Sequence, residues 1–422
     1  MRKEKSKSDR YQNLLILLCW MVYMVAYLGR YSYSANISQI EATFGLNHST
    51  AGLVTMCFFI AYGVGQVVNG FLCRHYPKRW VLSGALLVSA GLNLTIFLGV
   101  GFGAYKYLWL VNGAAQSVLW SSLMMIVGEN ISEKNFKKAV LSMGTTIGAG
   151  TLAAYGLSAF LVLLGVYRLV FLIAAILMAA VGVSWFFGYA FVWRRLEETR
   201  AEILATKQLV KTEEGSKKGA RAGIIAVIFV CIVYAVFNNL IKDGLLTWVP
   251  SVLIEKFGLP SSLSILFTII LPVLGMAGTF LIVKLNQVLH HNYFLCACVL
   301  FFGVAVLCIG VILSLGGGGY FWIAAILCIG VVNCLMVAVN NMLTTVIPLD
   351  LRDRVSSGLL SGIFDGSCYA GSAISSYGIG AVADSMGWTA VFWVFVGVSM
   401  FAVVMSLIAW IVKKKQSSRQ SQ

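Results

Sequence analysis

The chain is written as long apolar stretches cut by short polar breaks. Gly223–Val236, Tyr320–Val339 and Val391–Val412 contain no charged residue, and about 20 apolar residues are what a helix needs to cross a bilayer. Cutting the hydropathy at turns and charges predicts helices near 13–38, 50–73, 80–101, 107–128, 139–163 and 169–193. A second set is predicted near 223–252, 262–283, 291–314, 320–347, 355–384 and 387–412. Between the sets, 194–222 carries eight Lys/Arg and five Glu, with Glu197, Glu198 and Arg200 on a helix-friendly stretch, and reads as a partly helical linker. The expected fold is an all-α membrane protein of twelve transmembrane helices in two six-helix bundles, 1–193 and 223–422.

Composition supports that pattern. Of 422 residues 59% are hydrophobic and 11% charged, against roughly 25% charged in a soluble domain. A net charge of +15 would point to nucleic acid in a soluble protein, but its placement excludes that partner. Of the 31 Lys and Arg, 26 lie in the tails, the linker and the even-numbered loops, and three (Lys106, Arg168 and Lys256) lie in odd-numbered loops. The positive-inside rule then places both termini in the cytoplasm, with the chain in the plasma membrane. Met1–Arg10 is basic and the apolar run after it lacks a cleavage site, so it reads as a retained first helix.

Little else in the chain suggests chemistry. Seven of the ten cysteines (Cys19, Cys57, Cys231, Cys308, Cys328, Cys334 and Cys368) lie singly in apolar stretches, where cysteine acts as a small hydrophobe. Cys296, Cys298 and His291 are spaced too tightly for the usual zinc pattern. His48, His75, His290 and His291 fall in predicted loops or helix ends, and there is no Ser/His/Asp catalytic motif and no phosphate-cradling GxxxxGK[ST] loop. The expectation is a gradient-driven monomer, not an enzyme, with no cofactor and no metal.

The two halves echo each other. Ile40-Glu41-Ala42-Thr43-Phe44-Gly45-Leu46 follows the first predicted helix, and Ile254-Glu255-Lys256-Phe257-Gly258-Leu259 follows the seventh. Two basic residues fall inside predicted helices: Arg30, 14 residues before Phe44, and Lys242, 15 before Phe257. They therefore occupy matching places in the two halves. Parallel repeats joined by a basic linker describe the major facilitator architecture, whose substrate site lies between the halves at mid-membrane.

A charge at the bilayer centre costs roughly 2.5–3.5 kcal/mol on insertion scales, so two such residues need a reason. The functional reading is an anion clamp: Arg supplies a planar fork, Lys a mobile point charge. The structural reading is pairing with Asp243 or Asp365. Tyr23, Tyr27 and Arg30 share one helical face, as do Asn239 and Lys242. Asn112, Gln116 and Trp120 recur every four residues as a polar stripe, suited equally to substrate contact and to helix–helix hydrogen bonding. Asp365, inside the eleventh helix, is a proton-coupling candidate or a partner for Lys242. Asp243 follows Lys242 directly, so the two should project about 100° apart, which predicts a partner for Asp243 on a neighbouring helix. Gly144, Gly148 and Gly150, with Gly358, Gly362, Gly366 and Gly371, read as close-packing surfaces.

Several strings together resemble the organophosphate:phosphate antiporters of the major facilitator superfamily. They are Tyr27-Leu28-Gly29-Arg30, Ala61-Tyr62-Gly63, Val111-Asn112-Gly113-Ala114-Ala115-Gln116 with Trp120, and Leu240-Ile241-Lys242-Asp243-Gly244-Leu245-Leu246-Thr247-Trp248-Val249-Pro250. Asp384 with Ser385-Met386-Gly387-Trp388 completes the set. The resemblance implies exchange of a glycerol or hexose phosphate for inorganic phosphate. It also implies that the phosphoryl group is held by basic residues at Arg30 and Lys242, the latter an arginine in the family. Gln66, Thr145 and Arg74 stand where some members carry a basic residue, a histidine and an aspartate. Two alternatives stay open on the residues alone: a proton- or sodium-coupled symporter for a carboxylate or sugar acid, and a membrane sensor of the same ligand.

Overall fold

The computed structural model describes residues 2–197, 201, 221–317, 320–350 and 357–420. The linker expected at 194–222, with Glu198 and Arg200, falls mostly outside the described residues. Ten separate membrane-length helices are α1 (Ser8–Ala35), α2 (His48–Leu72), α3 (Lys78–Phe97), α4 (Phe102–Asn130), α5 (Glu133–Leu163), α6 (Leu169–Arg195), α7 (Ile225–Phe257), α8 (Ser261–Val288), α9 (Tyr293–Leu315) and α10 (Phe321–Val346). An eleventh segment, Leu360–Val412, has 53 residues. At 1.5 Å per residue it measures about 80 Å, far more than a hydrocarbon core of about 30 Å. Gly387, at φ 78° and ψ 171°, interrupts it and divides it into α11 (360–386) and α12 (388–412), giving the twelve helices expected.

The helices keep apolar flanks in the open. Phe71, Phe187, Phe280 and Leu313 are each about two-thirds exposed or more. A run of such flanks is stable only against lipid, and the protein is a multi-pass membrane protein.

Two compact units form. One contains residues 1–35 and 64–216, the other 36–63 and 217–422, so the segment 36–63 belongs with the second sequence half. In the first unit α1 packs against α5 and α6, and α3 against α4 and α6. In the second, α7 and α9 pack against the α11–α12 segment, and α8 and α9 against α10. In both units the first and third helices thus pack against the last two, as a repeat requires.

The repeat is visible in the backbone as well. A short helix, Ile37–Phe44, ends at Gly45, and α7 ends at Gly258; both glycines have φ 65°. That left-handed conformation closes a helix by turning its last N–H groups back. Leu46 N donates to the Glu41 carbonyl at 3.0 Å and Leu259 N to the Leu253 carbonyl at 3.3 Å. Only glycine adopts it without a Cβ penalty. Phe44-Gly45 and Phe257-Gly258 therefore match in conformation as well as in letters.

Small residues set the close approaches. A Cβ on Gly150 would lie 2.5 Å from both the Met24 carbonyl oxygen and the Tyr27 Cβ, so α5 rests directly on the α1 backbone one turn before Arg30. Gly371 does the same for α11 against Val236 of α7. Gly144 and Gly362 have nothing within 4 Å, so the packing role expected of the glycine runs is met at Gly150 and Gly371 and not at those two. Gly150→Ala forces α1 and α5 apart. It should lower unfolding stability by about 1–3 kcal/mol, read as a reduced thermal midpoint in detergent, whereas Gly144→Ala should leave the midpoint unchanged.

Candidate functional site

Arg30 is 4% exposed in the middle of α1. Its Nε donates to Gln116 Oε1 at 3.4 Å, and its guanidinium carbon lies 4.5 Å from the Tyr27 ring centroid. Gln116 Nε2 in turn donates to Asn112 Oδ1 at 3.1 Å. Helical spacing makes this possible, because Asn112 and Gln116 lie one turn apart on the same face of α4. A hydrogen bond to a charged group contributes about 1.5–3 kcal/mol and a desolvated cation–π contact about 2. Together they offset an insertion cost of roughly 3 kcal/mol. These contacts hold Arg30 in place within the helix bundle.

Aromatic rings continue the site along α1. Tyr27 packs on Tyr23 at 5.1 Å and on Tyr31 at 5.7 Å between centroids, Tyr23 packs on Trp120 at 4.8 Å, and Tyr31 lies 6.3 Å from Tyr155 of α5. All six residues expected in the first half (Arg30, Tyr23, Tyr27, Asn112, Gln116 and Trp120) thus form one continuous group. Tyr31 and Tyr155 were not anticipated. Tyr31 continues the fourfold spacing of Tyr23 and Tyr27, a signal available in the sequence, whereas Tyr155 arrives from another helix without one. Thr145, where some relatives place a histidine, accepts from the Trp20 indole at 3.0 Å.

The second unit builds its charged group differently. Lys242 Nζ lies 3.6 Å from Asp243 Oδ1, with the lysine 22% and the aspartate 6% exposed. The sequence argument that these neighbours diverge is corrected here. A helix fixes the directions of the two Cβ atoms, but a four-carbon side chain curls back across 100°. The expected partner on another helix is also present: Asp243 Oδ2 accepts from Ser372 Oγ of α11 and from Asn239 Nδ2 at 3.3 Å. Asn239 also donates to Ser372 at 3.0 Å and accepts from Asn238 at 2.9 Å, so it serves Asp243 rather than Lys242. Asp365 is half-buried in α11, and with Lys242 and Asp243 it acts electrostatically on Cys368. The cluster therefore holds one cation and two acids.

A third constellation in the second unit was not expected as a site. His48 Nδ1 lies 2.9 Å from Glu41 Oε1, and its Nε2 lies 3.0 Å from Glu255 Oε1. A carboxylate facing each nitrogen favours the ring with hydrogen on both, the imidazolium. Glu41 and Glu255 are equivalent residues of the internal repeat, and they meet on one imidazole. Trp388 Nε1 donates to Glu255 Oε2 at 2.7 Å. The His48 ring lies 5.4 Å from that of Trp248 and 5.0 Å from that of Trp388. Asp384 accepts from the backbone N–H of His48 at 2.9 Å and of Ser49 at 2.8 Å, capping the start of α2. Burial pushes the Glu41 carboxyl above the usual carboxylate range, and the adjacent His48 draws it back. No group of three or more metal-ligating side chains occurs among the described residues.

Repeated helix pairing around two intramembrane cations defines a class, the polytopic α-helical carriers built from two related halves. The chain belongs to the Major Facilitator Superfamily, whose family model matches residues 19–359. It is a transporter and not an enzyme, and within the superfamily it resembles the organophosphate:phosphate antiporters. Sugar phosphate exchanger 3 of Bos taurus is 24% identical over 403 residues, 82% of this chain and 76% of its own length. The membrane sensor protein UhpC of Escherichia coli is 28% identical over 108 residues, 26% of this chain and 24% of its own. The hexuronate transporter of Bacillus subtilis is 22% identical over 271 residues, 63% of this chain and 62% of its own. Among solved structures, the xylose transporter XylE from E. coli in a partially occluded inward-open conformation superposes with a TM-score of 0.70 at 14% identity, covering 95% of this chain and 99% of its own. That likeness shows the fold.

His48→Ala leaves Glu41 buried without its cation. The variant should lose about 2 kcal/mol, measured as a lower thermal midpoint, and Glu41→Gln added to it should restore much of that loss. Equal destabilisation with and without the second change would mean that ring packing, not charge, holds the clasp.

Proposed function

We propose that this transporter moves an organic phosphate, a sugar phosphate or glycerol phosphate, in exchange for inorganic phosphate by alternating access. The observation that carries this reading is Arg30, a guanidinium buried in the middle of α1 and positioned by Gln116 and Tyr27. Its planar fork of donors matches the oxygens of a tetrahedral oxyanion. Lys242 supplies the second charge, and Tyr23, Tyr27, Asn112, Gln116, Trp120 and Asn239 complete the polar lining. Among the relatives, sugar phosphate exchanger 3 and the glucose-6-phosphate exchanger SLC37A2 of Xenopus laevis carry phosphate esters by name. The charge distribution supports cytoplasmic termini in a plasma membrane, with the single chain as the working unit.

A second reading rests on the acids. Asp365, within electrostatic range of Cys368 as Lys242 is, together with the likeness to a hexuronate transporter, fits proton-coupled uptake of a carboxylate with Asp365 as the coupling group.

The two readings separate in proteoliposomes loaded with unlabelled phosphate and given labelled phosphate outside. Rapid entry that falls by roughly a hundredfold or more in Arg30→Ala and in Lys242→Ala is expected, from the loss of a charge-assisted contact of about 3 kcal/mol. Entry undiminished in both variants would refute the phosphate reading. Uptake of a hexuronate that follows an imposed pH gradient and is lost in Asp365→Asn would establish the second.

A further inference from the structure

The two intramembrane cations are not equivalent. Arg30 is surrounded by an amide and aromatic rings, whereas Lys242 already has a carboxylate at 3.6 Å. That carboxylate does not reach Lys242 by accident of rotation. Asp243 is 5% exposed, and its other oxygen is fixed from α11 by Ser372 and from one turn earlier in α7 by Asn239. Asn239 is itself held by Ser372 and Asn238. The aspartate is thus anchored on the side away from the lysine and presents its free edge to the ammonium. An anionic ligand of Lys242 must compete with this built-in anion.

We propose that Asp243 is an internal stand-in for the transported anion and sets the mode of transport. It occupies Lys242 while the carrier is empty and gives it up when an oxyanion binds. This rests on the anion-transport reading above and deepens it. A bare ammonium moved through a closed, water-poor state carries the full cost of an unpaired buried charge, while a paired one crosses nearly neutral. The empty carrier can therefore change sides, and exchange is favoured but not obligatory. The same pair weakens binding, because the entering anion replaces a contact rather than making a new one. Asp365 adds a second negative charge to the cluster and acts in the same direction, while Asp243 is the acid held at 3.6 Å from the lysine by α11.

The test compares two fluxes of labelled inorganic phosphate in proteoliposomes of the full chain: entry into phosphate-loaded vesicles, and net entry into phosphate-free vesicles. In the wild type both should be present, with net entry at about one-tenth of exchange or more. In Asp243→Asn, phosphate should bind roughly tenfold tighter, exchange should persist, and net entry should fall at least about tenfold relative to exchange. A wild type that exchanges phosphate but shows no net entry overturns the proposal without reference to any variant, so the outcome does not depend on whether Asp243→Asn folds. An unchanged ratio of net entry to exchange in a folded Asp243→Asn protein overturns it equally. Phosphate carried in neither mode by the wild type would instead sink the phosphate reading, and this proposal with it.

Discussion

A full positive charge in the middle of a membrane-spanning helix is the constraint from which the first unit is built. Arg30 cannot be left to lipid. It is held by distributed neutral contacts: an amide from α4, the face of Tyr27, and the rings that keep Tyr27 in position. Each needs backbone precision. Gln116 is within reach because Asn112 holds its other end. Tyr27 meets α5 at its Cβ, where only the missing side chain of Gly150 leaves room. A missing side chain at Gly150 and a charged one at Arg30 are therefore parts of one arrangement.

The second unit solves the same problem with the opposite chemistry. Lys242, the repeat-equivalent cation, is compensated by a carboxylate that is itself tied to a second helix through Ser372. Neutral partners keep a charge available, whereas an acidic partner keeps it quiet. The two halves of a duplicated fold thus give their equivalent cations different partners, an amide and a ring for Arg30 and a carboxylate for Lys242.

Most of this was legible in the sequence, for a physical reason. Twelve helices follow from apolar length, and the Arg30 group follows from residues spaced by four on single helices, where local geometry decides which side chains meet. The relation of Lys242 to Asp243 was read wrongly, because angular reasoning locates Cβ atoms and not the end of a flexible chain. Ser372 and Tyr155 come from α11 and α5 and left no local trace. The repeat pointed to Glu41 and Glu255, but nothing in the strings said that one histidine would join them. Residues that meet through packing between distant segments were those the sequence hid.

The start of α2 shows what such distance entails for making the molecule. The first N–H groups of α2 are capped by Asp384, 336 residues further along the chain. During synthesis α2 enters the bilayer long before its cap exists, and its first turn remains incomplete until almost the last helix has emerged. A nascent chain stopped anywhere short of Asp384 therefore carries an α2 whose first turn has no carboxylate cap. Assembly of this protein is completed at its beginning.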